Sequence, residues 1–157
     1  MNKTLWLFIG CFLLPVIMAF TVLKLDFRPS STTNNGNFLE HEIWLPIQQD
    51  DKLWTIVLNL PSGCASACAV QKSNAQNLHV ALGKNRSKVS IVMVGTDELA
   101  IEQSVQEKLT PASFYLVNKQ GLVVLEYLYK PDPEANRLVL KGLLKDMKKL
   151  LNYARSQ

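Results

Sequence analysis

Apolar residues along this chain of 157 residues fall into one long run and several short ones. The long run, residues 5–23, contains no charged residue and is followed directly by Lys24. At a rise of ~1.5 Å per residue, a helix of this length spans about 28 Å, close to the ~30 Å hydrocarbon core of a bilayer. The pattern therefore predicts a transmembrane helix at 5–23, after a short N-terminal tail at 1–4.

Two processing alternatives would remove this segment from the mature protein. A cleaved secretory signal would end in small residues, but the run contains no Ala-x-Ala pattern. A lipoprotein would be modified at Cys11, yet the apolar run continues well beyond that cysteine. We therefore expect an uncleaved anchor in which Cys11 is a small hydrophobic residue. Its orientation is left open, because basic residues flank the run on both sides.

After the apolar run, the composition becomes polar and then alternates between apolar and polar segments. Residues 24–37 are rich in small polar residues and predict a flexible linker, so the domain is expected at 38–157. Residues 38–47 fit an edge strand or an extended lead-in, because Pro46 excludes a central strand.

The rest of the domain follows a βαβα pattern and then a ββα pattern. The apolar runs at 53–60 and 89–95 are typical of buried strands, and the segment between them has the composition of a helix that ends at Gly83. A short helix is expected to about residue 109, and a hairpin and an amphipathic closing helix follow it. The expected ranges of the last three elements are 96–109, 114–127 and 134 onward.

Two cysteines, Cys64 and Cys68, follow the first buried strand after a Pro-Ser-Gly turn. If a helix begins between them, residues four apart lie on one face, so the two sulfurs can form a disulfide or hold a metal ion. A thiol at a helix start has its thiolate favoured by free N–H groups and the helix dipole. We therefore expect Cys64 to attack in disulfide exchange and Cys68 to resolve the mixed disulfide. A plain structural disulfide is the alternative.

This arrangement resembles the thioredoxin-like fold, with the thiol pair after the first core strand and a proline, Pro111, just before the hairpin. In such proteins that proline is usually in the cis form and faces the cysteines. The three residues between Cys64 and Cys68 are similar to the spacing of the Sco family, membrane-anchored proteins of cytochrome c oxidase assembly. The resemblance covers roughly residues 50–155. It implies an α/β, thioredoxin-like single domain behind one N-terminal transmembrane helix.

The resemblance also implies copper as a candidate cofactor, with Cys64 and Cys68 as tentative Cu(I) ligands. Sco proteins add a histidine before the first hairpin strand, where this chain has residues 109–113 and no histidine. The third ligand is therefore not identified, unless His41 or His79 folds into reach. Two thiolates alone can hold Cu(I) at low coordination.

Charge adds one distinction between parts of the chain. Residues 134–157 carry six Lys or Arg against two acids, whereas residues 40–133 carry eight against ten. The body of the domain is thus near neutral, which argues against nucleic acid as a partner and confines the basic excess to the last helix.

Three functions are expected from these observations. The first, implied by the Sco resemblance, is a factor that acts on oxidase subunit thiols or in copper delivery, held in the inner membrane with its domain in the periplasm. Its partners would be the membrane and a cytochrome c oxidase subunit or other assembly factors. The second is a general thiol–disulfide oxidoreductase, the only enzyme activity considered. The third is a scaffold module without chemistry.

Overall fold

The structure is a computed structural model that describes residues 3–24, 33–47, 51–96 and 99–154. It divides the chain into two compact units, one up to Thr33 and one from Asn34 onward. The first unit contains helix α1, Lys3–Lys24, which covers the predicted apolar helix and includes Pro15. Within the ranges described, none of the helices is both long enough and apolar enough to cross a membrane. A helix at this place is confirmed.

The second unit is built on a mixed sheet of four strands: β1 Trp54–Asn59, β2 Val89–Val94, β3 Phe114–Asn118 and β4 Val123–Tyr127. The order across the sheet is β2-β1-β3-β4. Strands β1 and β2 are parallel, and β3 pairs antiparallel with both β1 and β4. The predicted parallel pair and hairpin are confirmed. The sheet is consistent with the expected thioredoxin-like arrangement.

Two long helices, α2 Ala65–Ala81 and α4 Pro133–Tyr153, pack on one face of this sheet. Helix α2 continues into a short 3-10 helix, Gly83–Lys88, and Asp132 caps the start of α4 by accepting a hydrogen bond of 2.7 Å from the Ala135 N–H. Apolar side chains of both helices and of the sheet form the core on this face. Its largest fully buried members are Ile56, Leu58, Phe114, Leu116, Leu143 and Met147.

The helix expected at 96–109 is much shorter than predicted. Only α3, Gln103–Gln106, is helical, and residues 97 and 98 lie outside the described part of the chain. Leu99 and Ile101 pack against the core on the second face of the sheet. Residues two apart on a helix lie on different faces, so a longer helix would not direct both side chains to this core. Packing of these two residues therefore outweighs the local helix pattern.

Residues 33–47, here called the lead-in segment, run along the outer edge of β4. They make isolated antiparallel bridges from Asn37 to Glu126 and from Trp44 to Leu122. Ile43, Leu45 and Ile47 are buried and contribute to the core of the second face. The predicted lead-in at 38–47 thus covers one edge of the sheet without forming a regular strand.

A buried carboxylate holds the beginning of the lead-in segment. Asp146 of α4 is 2% exposed and accepts hydrogen bonds from the Asn35 backbone N–H at 2.6 Å and the Tyr127 hydroxyl at 2.9 Å. The Asn35 side chain and the Gly36 N–H also donate to this carboxylate, at 2.7 and 3.0 Å. Although the sequence predicts a flexible linker up to residue 37, these last linker residues are hydrogen-bonded to the domain.

Candidate functional site

The two predicted thiols are joined as a disulfide at the start of α2. Strand β1 ends at Asn59, and the chain then turns through Gly63, whose φ of 91° is in the left-handed region that suits glycine. Cys64 occupies the N-cap position, and its Cα lies 5.5 Å from that of Cys68 one turn later. Both cysteines are partly buried.

The electrostatic setting of the disulfide comes from the helix start. The Cys64 side chain makes no capping hydrogen bond, so it does not accept from the first-turn N–H groups of α2. Free N–H groups at a helix start favour a negative charge nearby, in addition to the helix dipole. When the disulfide is reduced, this setting favours the thiolate of Cys64.

The loop before β3, residues 109–113, contains the third predicted site residue. Pro111 was expected in the cis form, but there is no cis peptide bond in the part of the chain that the structure describes. The expectation is therefore wrong for Pro111. The trans form of an X-Pro bond is favoured by about 0.5–1 kcal/mol. Here the chain turns at Ala112 instead, which is buried and has a φ of 55°.

A buried amide joins this loop to the thiol helix. Gln71 is 1% exposed and donates a hydrogen bond of 2.9 Å from Nε2 to the Ala112 carbonyl. Its Oε1 accepts from Asn136 at 3.1 Å and from Asn74 at 2.7 Å. Residues three apart on a helix share a face, so Gln71 lies about one turn after Cys68 on the same face of α2. The hydrogen bond from Gln71 therefore holds the loop against that face. The loop and the disulfide thus belong to one structural unit.

A second buried amide holds the same loop from β1. Asn59 is fully buried, and its Nδ2 donates to the carbonyls of Leu109 and Thr110 at 3.0 and 3.2 Å. The Asn59 backbone carbonyl also accepts from the Ala112 N–H at 2.9 Å. Gln106 completes the arrangement by donating from Nε2 to Asn59 Oδ1 at 2.7 Å. The loop conformation is therefore fixed by two side chains that lie far from it in sequence.

These amides were missed by the sequence interpretation, which considered only cysteine, histidine and proline. Asn59 was the visible exception, as a polar residue near the end of an otherwise apolar strand. Because buried polar groups need hydrogen-bond partners, such a residue indicates a nearby backbone segment that it holds. Gln71 gave a weaker signal than Asn59, because its position three residues after Cys68 indicates a role only when the position of the loop is known.

Acid and base groups are sparse around the disulfide. Residues 61–96 contain no Asp or Glu, so this part of the chain supplies no carboxylate for proton transfer. The Tyr115 hydroxyl reaches the loop and accepts from the Thr110 N–H at 2.7 Å. Burial raises the pKa of Tyr115, so its hydroxyl stays protonated near neutral pH. The helix start is therefore the feature of this site that favours a thiolate.

The residues present do not fit a three-ligand copper site. Among the residues that the structure describes, no group of three His, Cys, Asp or Glu side chains is placed to hold a metal ion. His79 is on α2, eleven residues after Cys68, which corresponds to about 16 Å along the helix axis. His41 lies in the lead-in segment, beside Phe38 and Lys108. Neither histidine supplies the missing ligand.

Comparisons with known proteins give a likeness to solved structures but none to a family model. No family model matches the chain, and a search of curated proteins likewise finds no match. The fold is similar to the solution structure of an apo Sco1 protein from Thermus thermophilus, with a TM-score of 0.45 and 14% sequence identity. That alignment covers 78% of this chain and 99% of the other. A likeness this distant assigns no family.

Proposed function

We propose that this protein is a thioredoxin-like, Sco-type thiol–disulfide exchange factor. The observation that carries the proposal is the partly buried disulfide of Cys64 and Cys68 at the uncapped start of α2. The free N–H groups at that helix start favour the thiolate that exchange requires. Two buried amides also hold the adjacent loop, as described above, and they give the disulfide a rigid neighbour. Rigid surroundings favour a defined approach of the client.

The exchange proceeds in two steps. A client thiolate attacks the Sγ of Cys64, the bond to Cys68 breaks, and Cys68 leaves as a thiolate while a mixed disulfide forms. A second client thiolate then attacks the client sulfur of the mixed disulfide and releases Cys64 as a thiolate, which the helix start stabilises. Two electrons pass from the client to the cysteine pair, and both thiolates take up protons from water. The reverse sequence reduces a client disulfide.

The client class follows from the resemblance in thiol spacing. We propose the paired thiols of a cytochrome c oxidase subunit as the client, with the domain on the periplasmic side of the inner membrane. Disulfides persist in oxidising compartments and are rare in the cytosol, which supports this placement. General disulfide oxidoreduction, without a dedicated client, is the alternative within the same chemistry.

Copper delivery has weaker support than disulfide exchange. The reduced pair offers two soft sulfur donors, and Cu(I) accepts such ligands at low coordination, so Cu(I) can be held as cargo. The third donor expected of a Sco-type site is absent from residues 109–113. We therefore assign no step of the mechanism to copper.

The test follows the fate of each cysteine in the full chain, kept in detergent. Wild-type protein should reach a two-electron equilibrium with a glutathione buffer and should oxidise a dithiol peptide. With the disulfide form of the peptide, Cys68→Ser should accumulate a mixed disulfide between the peptide and Cys64, because no second thiol resolves it, and Cys64→Ser should accumulate much less. Cys11→Ser is the matched control, because Cys11 is a free cysteine, and it should behave as wild type.

Two results would contradict different parts of the proposal. If the wild-type disulfide does not exchange with glutathione or with the peptide, the proposed chemistry is wrong. If exchange occurs in vitro but Cys64→Ser leaves cellular oxidase activity unchanged, only the proposed client is wrong. Metal analysis of the same preparations, before and after reduction, tests the copper alternative directly.

A further inference from the structure

One edge of the sheet is covered by another segment of the chain and the other edge is not paired with a strand. The lead-in segment covers the edge of β4, whereas β2 has no strand partner on its outer side in the part of the chain that the structure describes. Natural proteins protect exposed edges with charged residues, prolines, bulges or a covering segment. Strand β2, with the sequence VSIVMV, has no charge and no proline.

The hydrogen-bonding direction of β2 follows from its pairing with β1. The carbonyls of Lys88 and Val94 both accept from β1-side N–H groups, those of Leu53 and Leu60, at 2.9 and 2.8 Å. Alternate residues of a strand direct their N–H and C=O groups to opposite sides. The backbone groups of Val89, Ile91 and Met93 therefore face outward. The Val89 N–H already donates to the Arg86 carbonyl, so the outward N–H groups that another strand can use are those of Ile91 and Met93.

A groove of about 510 Å³ runs beside this edge, between β2 and α2. Ile91 and Met93 are partly exposed and line it together with Ala75, so its floor is apolar. His79 and Arg86 border it and are both exposed. The groove therefore offers apolar contact to every second side chain of an added strand.

The charged groups that line the groove are Arg86 and Lys52, and further cations lie near them in sequence. Residues 61–96 carry Lys72, Lys84, Arg86 and Lys88 and no acidic residue. Lys52 also lines the groove, but it already pairs with Asp51 at 2.9 Å. A second copy of this chain would bring its own β2 and α2, which have no carboxylate to pair with these cations. An acidic partner, by contrast, is complementary to this border.

We propose that the outer edge of β2 binds an extended acidic segment of another protein, which adds to the sheet as a fifth strand. Backbone groups of Ile91 and Met93 pair with the segment, its apolar side chains fill the groove beside α2, and its carboxylates face the cations of the 3-10 helix. This surface is separate from the thiol chemistry and does not depend on it.

The test uses the full chain in detergent and a blocked ten-residue peptide that alternates valine and glutamate. Two control peptides replace glutamate with lysine or methylate every second backbone nitrogen. Fluorescence anisotropy should show at least tenfold weaker binding for both controls. Amide hydrogen exchange should slow at Ile91 and Met93 when the acidic peptide binds, while Ser90 and Val92, which already face β1, change little.

Two variants test the two parts of the interaction separately. Ile91→Pro removes an outward N–H and should abolish binding, while circular dichroism shows whether the fold is retained. Arg86→Glu reverses an exposed charge and should weaken binding at least fivefold, more so at low salt. Lys119→Glu, an exposed lysine of the β3–β4 turn, is the matched control and should bind as wild type. If Ile91→Pro does not fold, Arg86→Glu and the exchange pattern decide.

Three outcomes would overturn the proposal. Equal binding of the lysine peptide and the acidic peptide would exclude the charge argument. Unchanged exchange at Ile91 and Met93 in the presence of saturating peptide would exclude the edge as the site. Sedimentation that reveals a dimer, with the same two amides protected in it, would assign the edge to a second copy instead.

Discussion

Gln71 and Ala112 are joined by a 2.9 Å hydrogen bond that connects the thiol helix to the loop before β3. The two residues are 41 positions apart in the chain and both are 1% exposed. A loop of this kind would otherwise have a buried carbonyl without a donor, because α2 covers it. The bond is therefore the direct link between the disulfide-bearing helix and the turn that contains Pro111.

Replacing Gln71 by leucine should destabilise the domain by about 1–3 kcal/mol, because the buried Ala112 carbonyl loses its donor. Equilibrium unfolding in urea measures this loss. Gln76→Leu is the matched control, since Gln76 is an exposed glutamine of the same helix, and it should change stability by less than about 0.5 kcal/mol. Equal effects of the two substitutions would show that the hydrogen bond contributes nothing.

Ala112→Gly should be neutral or should stabilise the protein by up to about 1 kcal/mol. A left-handed conformation costs an L-residue roughly 1–2 kcal/mol, and glycine avoids this cost while losing some backbone entropy. Ala75→Gly is the comparison, since Ala75 is equally buried but lies within α2, and it should destabilise by about 1 kcal/mol. Thermal unfolding of both variants gives the sign of each effect, and a clear loss for Ala112→Gly would contradict the left-handed assignment.

Asp146→Asn should destabilise the domain by about 1–3 kcal/mol, because an amide cannot accept from all the donors that the carboxylate now satisfies. The lead-in segment should also become more sensitive to limited proteolysis, since Asn35 and Gly36 lose their acceptor. Asp132→Asn is the control: asparagine caps a helix as well as aspartate does, so stability should hold within about 0.5 kcal/mol. Unchanged proteolysis in Asp146→Asn would contradict the proposed attachment.

The stability of Glu126→Gln relative to wild type should increase as pH rises from 4 toward neutral. Burial raises the pKa of Glu126 above its ordinary value of 4.5, and the negative charge of Glu40 adds to this effect. Between 4.5 and the raised pKa, the folded state binds more protons than the unfolded state, so stability falls as pH rises. Glutamine removes this loss and should stabilise the domain at neutral pH, by less than about 0.5 kcal/mol because Glu126 is partly exposed.

Thermal unfolding between pH 4 and pH 8 measures this effect, with Glu42→Gln as an exposed control from the lead-in segment. Glu40→Gln should have part of the effect of Glu126→Gln, because it removes the neighbouring charge. If the stability of Glu126→Gln relative to wild type falls as pH rises, the carboxylate is stabilised, not destabilised, in the folded state.

The sequence was sufficient to predict those elements in which apolar residues recur with a clear period. The strands around Ile56 and Ile91 and the helix after Cys64 were predicted within a few residues, because burial on both faces or on one helix face leaves a readable pattern. The short helix near Gln103 was overestimated, since the packing of Leu99 depends on the other face of the sheet. Long-range packing of this kind has no local signature.

From the sequence, only those site residues could be named whose chemistry is recognisable from the residue type alone. Cys64 and Cys68 were found from their spacing, but the trans form before Pro111 and the turn at Ala112 were not. The turn is fixed by Asn59 and Gln71, whose partners come from distant parts of the chain. A sequence shows that an amide is present, but not which carbonyl it will meet.

The attachment of the lead-in segment has a consequence for the order of folding. Asn35 and Asp146 are 111 residues apart, so the N-terminal end of the domain cannot be held in place until nearly all of it has been synthesised. During synthesis, the edge of β4 is completed before its cover can be anchored by α4. Until α4 is complete, the cover of this edge is therefore held by its bridges to β4 and its buried apolar side chains, without the bonds to Asp146.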